Sequence, residues 1–118
     1  MRQQPTRGSI YYVDLAGAVG SEQDGVRPAL IVQNDIGNTH SPTTQIVPLT
    51  TQHKKINQPT HTRISNACGL SANSIALAEQ LRTIDRSRLR GYVGRIGGTE
   101  QTAIDKAIAI SLGLEVAA

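Results

Sequence analysis

Short apolar, β-branched runs separated by glycine- and asparagine-rich stretches fill most of the chain, and only the last segment changes to a helical period. Residues 10–15, Ile-Tyr-Tyr-Val-Asp-Leu, follow Gly8 and read as a first strand. Residues 16–25 form a polar loop carrying Gly17, Gly20 and Gly25, long enough to raise a functional question. Residues 28–32 are an apolar run that starts on Pro28, which a strand tolerates at its first position. Residues 34–38 predict a turn that Ser41 and Pro42 continue. Residues 43–51, with Ile46, Val47 and Leu49, predict another strand, and residues 52–59 a basic loop with Lys54 and Lys55. Residues 60–65 alternate as a strand with Arg63 turned outward, residues 66–73 are turn-rich, and residues 74–78 fit a strand or the start of a short helix. Residues 80–84 and 92–96 complete the strands, with Asp85 capping a single turn through Leu89 between them.

The last element has a different signature. Gly97 and Gly98 end the β region, Thr99 is the expected N-cap, and Glu100 suits the positive end of the helix dipole. Ile104, Ala107, Ile108 and Leu112 share one side of a 3.6-residue period while Asp105 and Lys106 fall away from it, and Gly113 is the natural stop. Six or so short strands and one terminal helix predict a mainly β fold, a small and strongly twisted barrel with the helix packed against it. Without repeated helical intervals a βαβ arrangement is disfavoured. At 118 residues, the whole chain reads as one domain.

Composition narrows the chemistry more than the fold. The net charge of +3 is compatible with a polyanionic partner without announcing one. Arg82, Arg86, Arg88, Arg90 and Arg95 gather in one segment whose simplest reading is a solvated basic surface. Tyr11, Tyr12 and Tyr92 are the only aromatic residues, which argues against a module that reads bases mainly by stacking. Cys68 is the single cysteine, so an intrachain disulfide is impossible, and it reads as a small buried hydrophobe in a reducing, cytoplasmic setting. No run approaches a membrane span and the N-terminus has no apolar signal stretch.

Metal-ligand spacing, dinucleotide and phosphate-binding loops and a serine-hydrolase elbow are all missing, so no cofactor is expected. Polar residues at strand ends remain. Arg27 stands between the glycine-containing loop and the second apolar run, and Thr50 ends the third. An arginine fork grips two phosphate oxygens and favours the added negative charge of a phosphoryl transition state. A threonine hydroxyl can donate to a non-bridging oxygen. A surface ion pair for Arg27 and an ordinary strand position for Thr50 are the plainer alternatives.

The stretches RGSIYYVDL (7–15), GSEQDGVRP (20–28) and IVQNDIGN (31–38) resemble the MazF/PemK/Kid family of toxin endoribonucleases, and SPT (41–43), PTH (59–61) and EQLRTID (79–85) continue the likeness in order, over roughly residues 7–113. The resemblance implies an SH3-like barrel of the plasmid-maintenance-toxin type with a C-terminal helix. It implies a homodimeric toxin that cleaves single-stranded RNA at a short motif, without ribosome or metal, leaving 2′,3′-cyclic phosphate and 5′-hydroxyl ends. A cognate antitoxin with an acidic C-terminal segment would neutralise it. By the same resemblance Arg27 and Thr50 are catalytic, Ser21, Glu22 and Gln23 line the substrate, and Asn34, Asp35 and Asn38 do so from the next loop. Gln80 and Arg82 fall in the groove region. Arginine stays protonated in proteins, so electrostatic stabilisation and proton donation suit it better than base catalysis.

Two departures from the family pattern bear on specificity: Ser9 stands where an acid usually follows Arg-Gly, and residues 38–41 differ from the usual basic or aromatic filling. The competing functional readings are a toxin that uses the same fold against a protein target, as gyrase-poisoning relatives do, and a non-catalytic nucleic-acid-binding module.

Overall fold

A computed structural model of the protein describes residues 4–52 and 58–114. Its regular elements are β1 (Ser9–Asp14), β2 (Val26–Ile31), α1 (Asp35–His40), β3 (Thr43–Thr50), β4 (His61–Ile64), β5 (Ser74–Leu77), β6 (Arg82–Asp85), β7 (Leu89–Arg95) and α2 (Gly98–Leu112). Single 3-10 turns occupy Asn66–Cys68, Ala78–Gln80 and Arg86–Arg88. The expected basic loop with His53, Lys54 and Lys55 lies outside the described residues, as do the first three residues of the N-terminus.

Antiparallel ladders join the strands in the order β4-β5-β3-β2-β1-β7, and β6 also pairs with β3. The mainly β fold with its C-terminal helix is as expected, but the sheet does not close into the SH3-like barrel that the sequence led us to expect. The two ends of the path, β4 and β7, are not paired with each other.

Two features account for the open form. The strand β3 forks, with β6 along Thr43–Ile46 and β5 along Leu49 and Thr50. Pro48 stands in the interval, where it has no N–H to give to a continuing ladder. The second feature is that the sheet buries two faces. Ile10, Leu30, Val47 and Leu49 pack in one cluster with Ile64, Ala76, Ile96 and Ile104. Their strand neighbours Tyr11, Val13, Ala29, Ile31 and Ile46 pack in another with Leu15, Ile84 and Leu89. Adjacent residues of β1, β2 and β3 thus feed opposite cores, whereas a closed barrel would offer one interior.

Residues 34–38, expected to be a turn, instead supply the N-cap Asn34 and the first four residues of the short helix α1. Six residues are too few for a helix to stand alone. The Asn34 carboxamide oxygen accepts the Gly37 N–H at 2.8 Å, and the fully buried Asn38 anchors the helix from below. Asn38 Oδ1 accepts from Thr44 Oγ1 at 2.7 Å and from Gln33 Nε2 at 3.1 Å, while its Nδ2 donates to the Gln33 carbonyl at 3.0 Å.

The N-cap of α2 is Gly97, two residues before the expected Thr99, and the helix begins at Gly98. The Glu100 carboxylate draws the chain back by accepting the N–H groups of Gly97 (3.3 Å) and Ser65 (2.9 Å). It also accepts from the Cys68 thiol at 3.1 Å, so one side chain ties the start of α2 to the turn Asn66–Cys68. Desolvation and the adjacent Glu100 push the Cys68 thiol up to about 11, which keeps it protonated and unreactive at neutral pH. Ile104 and Ala107 are buried as the helical stripe predicted, but Leu112 at its far end is exposed. Gly113 ends the helix in the left-handed region at φ 71°.

The arginine-rich segment is not simply solvated. Arg86 donates to the carbonyls of Asn38 (3.1 Å) and Ser41 (3.4 Å), and Arg88 to those of Asp14 (2.9 Å) and Ala16 (3.4 Å). Arg90 pairs with the Asp14 carboxylate at 3.1 Å. These cations fasten the connection between β6 and β7 to neighbouring loops. Among the described residues, no helix is long and apolar enough to cross a membrane.

Several carboxylates are held below their usual range. For Asp14 the main cause is the Ala16 N–H, and for Asp35 the Arg7 N–H. Burial pushes Glu79 and Glu100 up, but hydrogen bonds led by His61 for Glu79 and by the Ser65 N–H for Glu100 outweigh it. A carboxylate with a lowered folded-state pKa stabilises the fold above its unfolded value and loses that contribution as pH falls through the folded one. Stability is therefore expected to hold above about pH 5 and to decline progressively below about pH 4.5. Urea midpoints across pH 2.5–7 (roughly the titration range of carboxylates) test this, and an equal midpoint at both ends would contradict it.

Candidate active site

The start of β2 and the end of β3 meet beside the long loop between β1 and β2. The ladder pairs Ala29 with Pro48, Leu30 with Val47 and Ile31 with Ile46, and Arg27 and Thr50 each lie two residues beyond its Ala29–Pro48 end. Both line one cavity of about 500 Å³, together with Tyr12, Asp24, Gly25, Pro28, Leu49, Thr51, Ser71 and Ser74. That volume is in the usual range of small-molecule sites, about 300–1,000 Å³.

Arg27 is half-buried, and its Nε donates to the Asp24 carbonyl at 2.7 Å. That bond fixes the guanidinium plane without using either Nη group. No carboxylate among the described residues lies within ion-pair distance of Arg27, so the surface-ion-pair alternative does not hold there. Thr50 is buried, and its Oγ1 accepts the Gln52 N–H at 3.1 Å. Having accepted that bond, the hydroxyl retains its own proton for donation.

Thr50 also borders a second, adjoining cavity of about 240 Å³, lined by Gln23, Gln52, Gln58, His61, Leu77, Glu79 and Gln80. Gln80 holds the long loop against this wall: its Oε1 accepts the Gln23 N–H at 2.8 Å, and its Nε2 donates to the Ser21 carbonyl at 3.3 Å. Gln23 Oε1 is buried with no hydrogen-bond partner among the described residues, an acceptor left for an incoming donor. On the same cavity, His61 Nε2 and Glu79 Oε2 are 2.8 Å apart, and Thr60 Oγ1 donates to Glu79 Oε1 at 2.9 Å.

The remaining expected site residues divide. Ser21 is exposed on the loop, and Glu22 Oε1 accepts the Val19 N–H at 2.8 Å within it. Arg82 is half-buried at the start of β6 and lines neither cavity. Asn34, Asp35 and Asn38 sit at α1, also away from both cavities. Asn34 caps the helix, Asp35 Oδ1 accepts the Arg7 N–H at 2.8 Å, and the atoms of Asn38 are committed internally. Ser9, the departure in the opening motif, is buried against the Thr6 hydroxyl. Sequence reasoning missed Tyr12, His61 and Glu79 as lining residues. For Tyr12 alternation gave no signal, because it shares its face of β1 with the fully buried Ile10. Among the described residues, no three His, Cys, Asp or Glu side chains converge as a metal site would require.

Comparison with known proteins identifies the family. A family model described as PemK-like, MazF-like toxin of type II toxin-antitoxin system matches residues 6–112. Endoribonuclease EndoA of Bacillus subtilis is 44% identical over 109 residues, covering 92% of this chain and 94% of its own. A solved endoribonuclease from Mycobacterial species superposes with a TM-score of 0.80 at 27% identity, covering 98% of this chain and 97% of that one. Another from Mycobacterial species, in complex with its cognate antitoxin, gives 0.80 at 28% identity over 96% of this chain and 99% of that one. The chain belongs to the PemK-like, MazF-like toxin family of type II toxin–antitoxin systems.

Proposed function

We propose that this protein is a sequence-specific, ribosome-independent endoribonuclease toxin that cleaves single-stranded RNA without a metal ion. The observation that carries the reading is that Arg27 and Thr50 line one cavity, with two guanidinium Nη groups and one hydroxyl proton uncommitted among the described residues. The EndoA likeness supports the same reaction class.

In the proposed reaction the substrate supplies its own nucleophile. The 2′-oxygen attacks the adjacent phosphorus in line as its proton passes to solvent water, and the bond from phosphorus to the 5′-oxygen breaks. The leaving oxygen takes up a proton, so the products are a 2′,3′-cyclic phosphate and a 5′-hydroxyl. Arg27 holds the non-bridging oxygens and donates toward the leaving group. Thr50 donates to the phosphoryl oxygens as negative charge builds there. Gln23 Oε1 accepts from a base amino or imino group, with Gln80 on the same wall and Ser21 and Glu22 contacting the strand from the adjoining loop.

Residues 1–118 are read as one domain acting as a cytoplasmic homodimer. A cognate antitoxin is expected to neutralise it through an acidic segment laid against the cationic site, a pairing that also speeds encounter. A solved relative in complex with its cognate antitoxin supports that partnership.

The test is a long, weakly structured RNA incubated with purified protein in EDTA, followed by mapping of the new 5′ ends. Cleavage at one recurring short motif, lost in folded Thr50→Ala protein, is the expected result. Intact RNA across a broad set of sequences would rule the activity out.

A further inference from the structure

We propose that Tyr12 is the stacking platform for a nucleobase next to the phosphate held by Arg27 and Thr50; this rests on reading the cavity as an RNA-cleaving site. The first ground is exposure. Within β1, Ile10, Tyr11 and Val13 are buried, yet Tyr12 is 43% exposed. A large side chain on a strand is ordinarily covered by its cross-strand neighbours. Those of Tyr12 are Pro28 on β2 and Gly91 on β7. A Cβ placed on Gly91 would meet nothing within 4 Å, so the space on that side is open.

The second ground is the company the ring keeps. Tyr12 lines the same 500 Å³ cavity as Arg27 and Thr50, so an aromatic surface and a phosphate-binding cation share one space. A nucleotide presents the two complementary features, a flat π-face and an anionic phosphate. Of the three tyrosines, Tyr11 is buried and touches Tyr92 edge-on with ring centroids 5.6 Å apart, and neither lines this cavity. Stacking accepts any base, so it grips the strand while polar groups such as Gln23 Oε1 discriminate among bases. The scarcity of aromatic residues in the chain thus conceals one ring placed where stacking matters.

The test compares wild type, Tyr12→Ala and Tyr12→Phe on short oligoribonucleotides bearing the mapped cleavage motif, and on versions with one base at a time replaced by an abasic unit. Tyr12→Ala is expected to raise KM by about 5- to 150-fold with a smaller change in kcat, the range that removal of a stacking ring produces. Tyr12→Phe is expected to restore what Tyr12→Ala loses, because the ring and not the hydroxyl does the work. One abasic position beside the cleaved bond should weaken wild type by a similar factor and leave Tyr12→Ala no worse. An unchanged KM in Tyr12→Ala, a Phe variant as impaired as the Ala variant, or losses that multiply at every abasic position would overturn the stacking role while leaving the cleavage activity intact. Failure of the wild-type protein to cut any RNA would instead remove the reading of the site, and stacking with it. Thermal unfolding of each variant separates loss of binding from loss of fold.

Discussion

Arg27→Ala is expected to lower kcat for RNA cleavage by roughly 10²- to 10³-fold, or about 2.7–4 kcal/mol of transition-state stabilisation, with KM changing far less. In the ground state the phosphodiester carries one negative charge, and a second builds on its oxygens as the 2′-oxygen attacks. A donor already aimed at that charge stabilises the transition state more than the bound substrate. Arg27 meets this condition: its Nε is tied to the Asp24 carbonyl at 2.7 Å, while no carboxylate among the described residues competes for the Nη groups. Arg27→Lys keeps the charge but loses both the fork and the Nε tether, so it should recover only part of the rate. Single-turnover cleavage of one oligonucleotide by the three proteins decides the matter. An alanine variant within a few-fold of wild type would remove Arg27 from the chemistry.

Gly94→Ala carries the largest expected effect on stability. A Cβ on Gly94 would sit 1.7 Å from the Cys68 carbonyl oxygen and 3.2 Å from the Gly69 Cα. The obstacle is backbone, and it cannot yield cheaply. The turn Asn66–Cys68 is held to the start of α2 through Glu100, which accepts the Ser65 N–H and the Cys68 thiol. Gly69 closes that turn at φ 107°, a conformation that favours glycine, and its own added Cβ would meet the Val93 carbonyl at 2.5 Å. Overpacking against rigid backbone points to a loss of about 3 kcal/mol or more, a fall in Tm of roughly 10–20 °C. Gly91 on the same strand is the built-in control, since its added Cβ meets nothing within 4 Å. Gly91→Ala should lie within about 1 kcal/mol of wild type. Calorimetry of both variants checks the contrast, and similar melting temperatures would refute it.

The parts of the fold that local patterning encodes were legible. β1, β2 and β3 announced themselves through runs such as Ile10–Val13, and α2 through Ile104 and Ala107, because side-chain period follows directly from backbone geometry. The helix α1 was not legible: six residues with Gly37 in the middle have no apolar stripe, and what holds them is Asn38 reaching Thr44 and Gln33. The openness of the sheet was likewise hidden. Whether two edges meet depends on long-range pairing, and Pro48 at the fork of β3 reads in sequence as an ordinary strand proline. At the site, the motif resemblance named Arg27, Thr50, Gln23 and Gln80, which line adjoining cavities, together with Asn34, Asp35 and Asn38, which lie at α1 and line neither. Residues that shape a local structure and residues that face a ligand leave the same mark in a motif.

The pairing of β1 with β7 joins Ser9 to Arg95. During synthesis, β1 therefore gains β2 early but waits for its outer neighbour until the intervening chain has been made, about 4–17 s at ordinary translation rates. Throughout that interval one edge of β1 is an open template, and the face bearing Tyr11, Val13 and Leu15 lacks Leu89 above it. A chain cut short before Leu89 is thus a candidate for aggregation or degradation rather than a weaker toxin, and the dose of active protein is metered by completed chains alone.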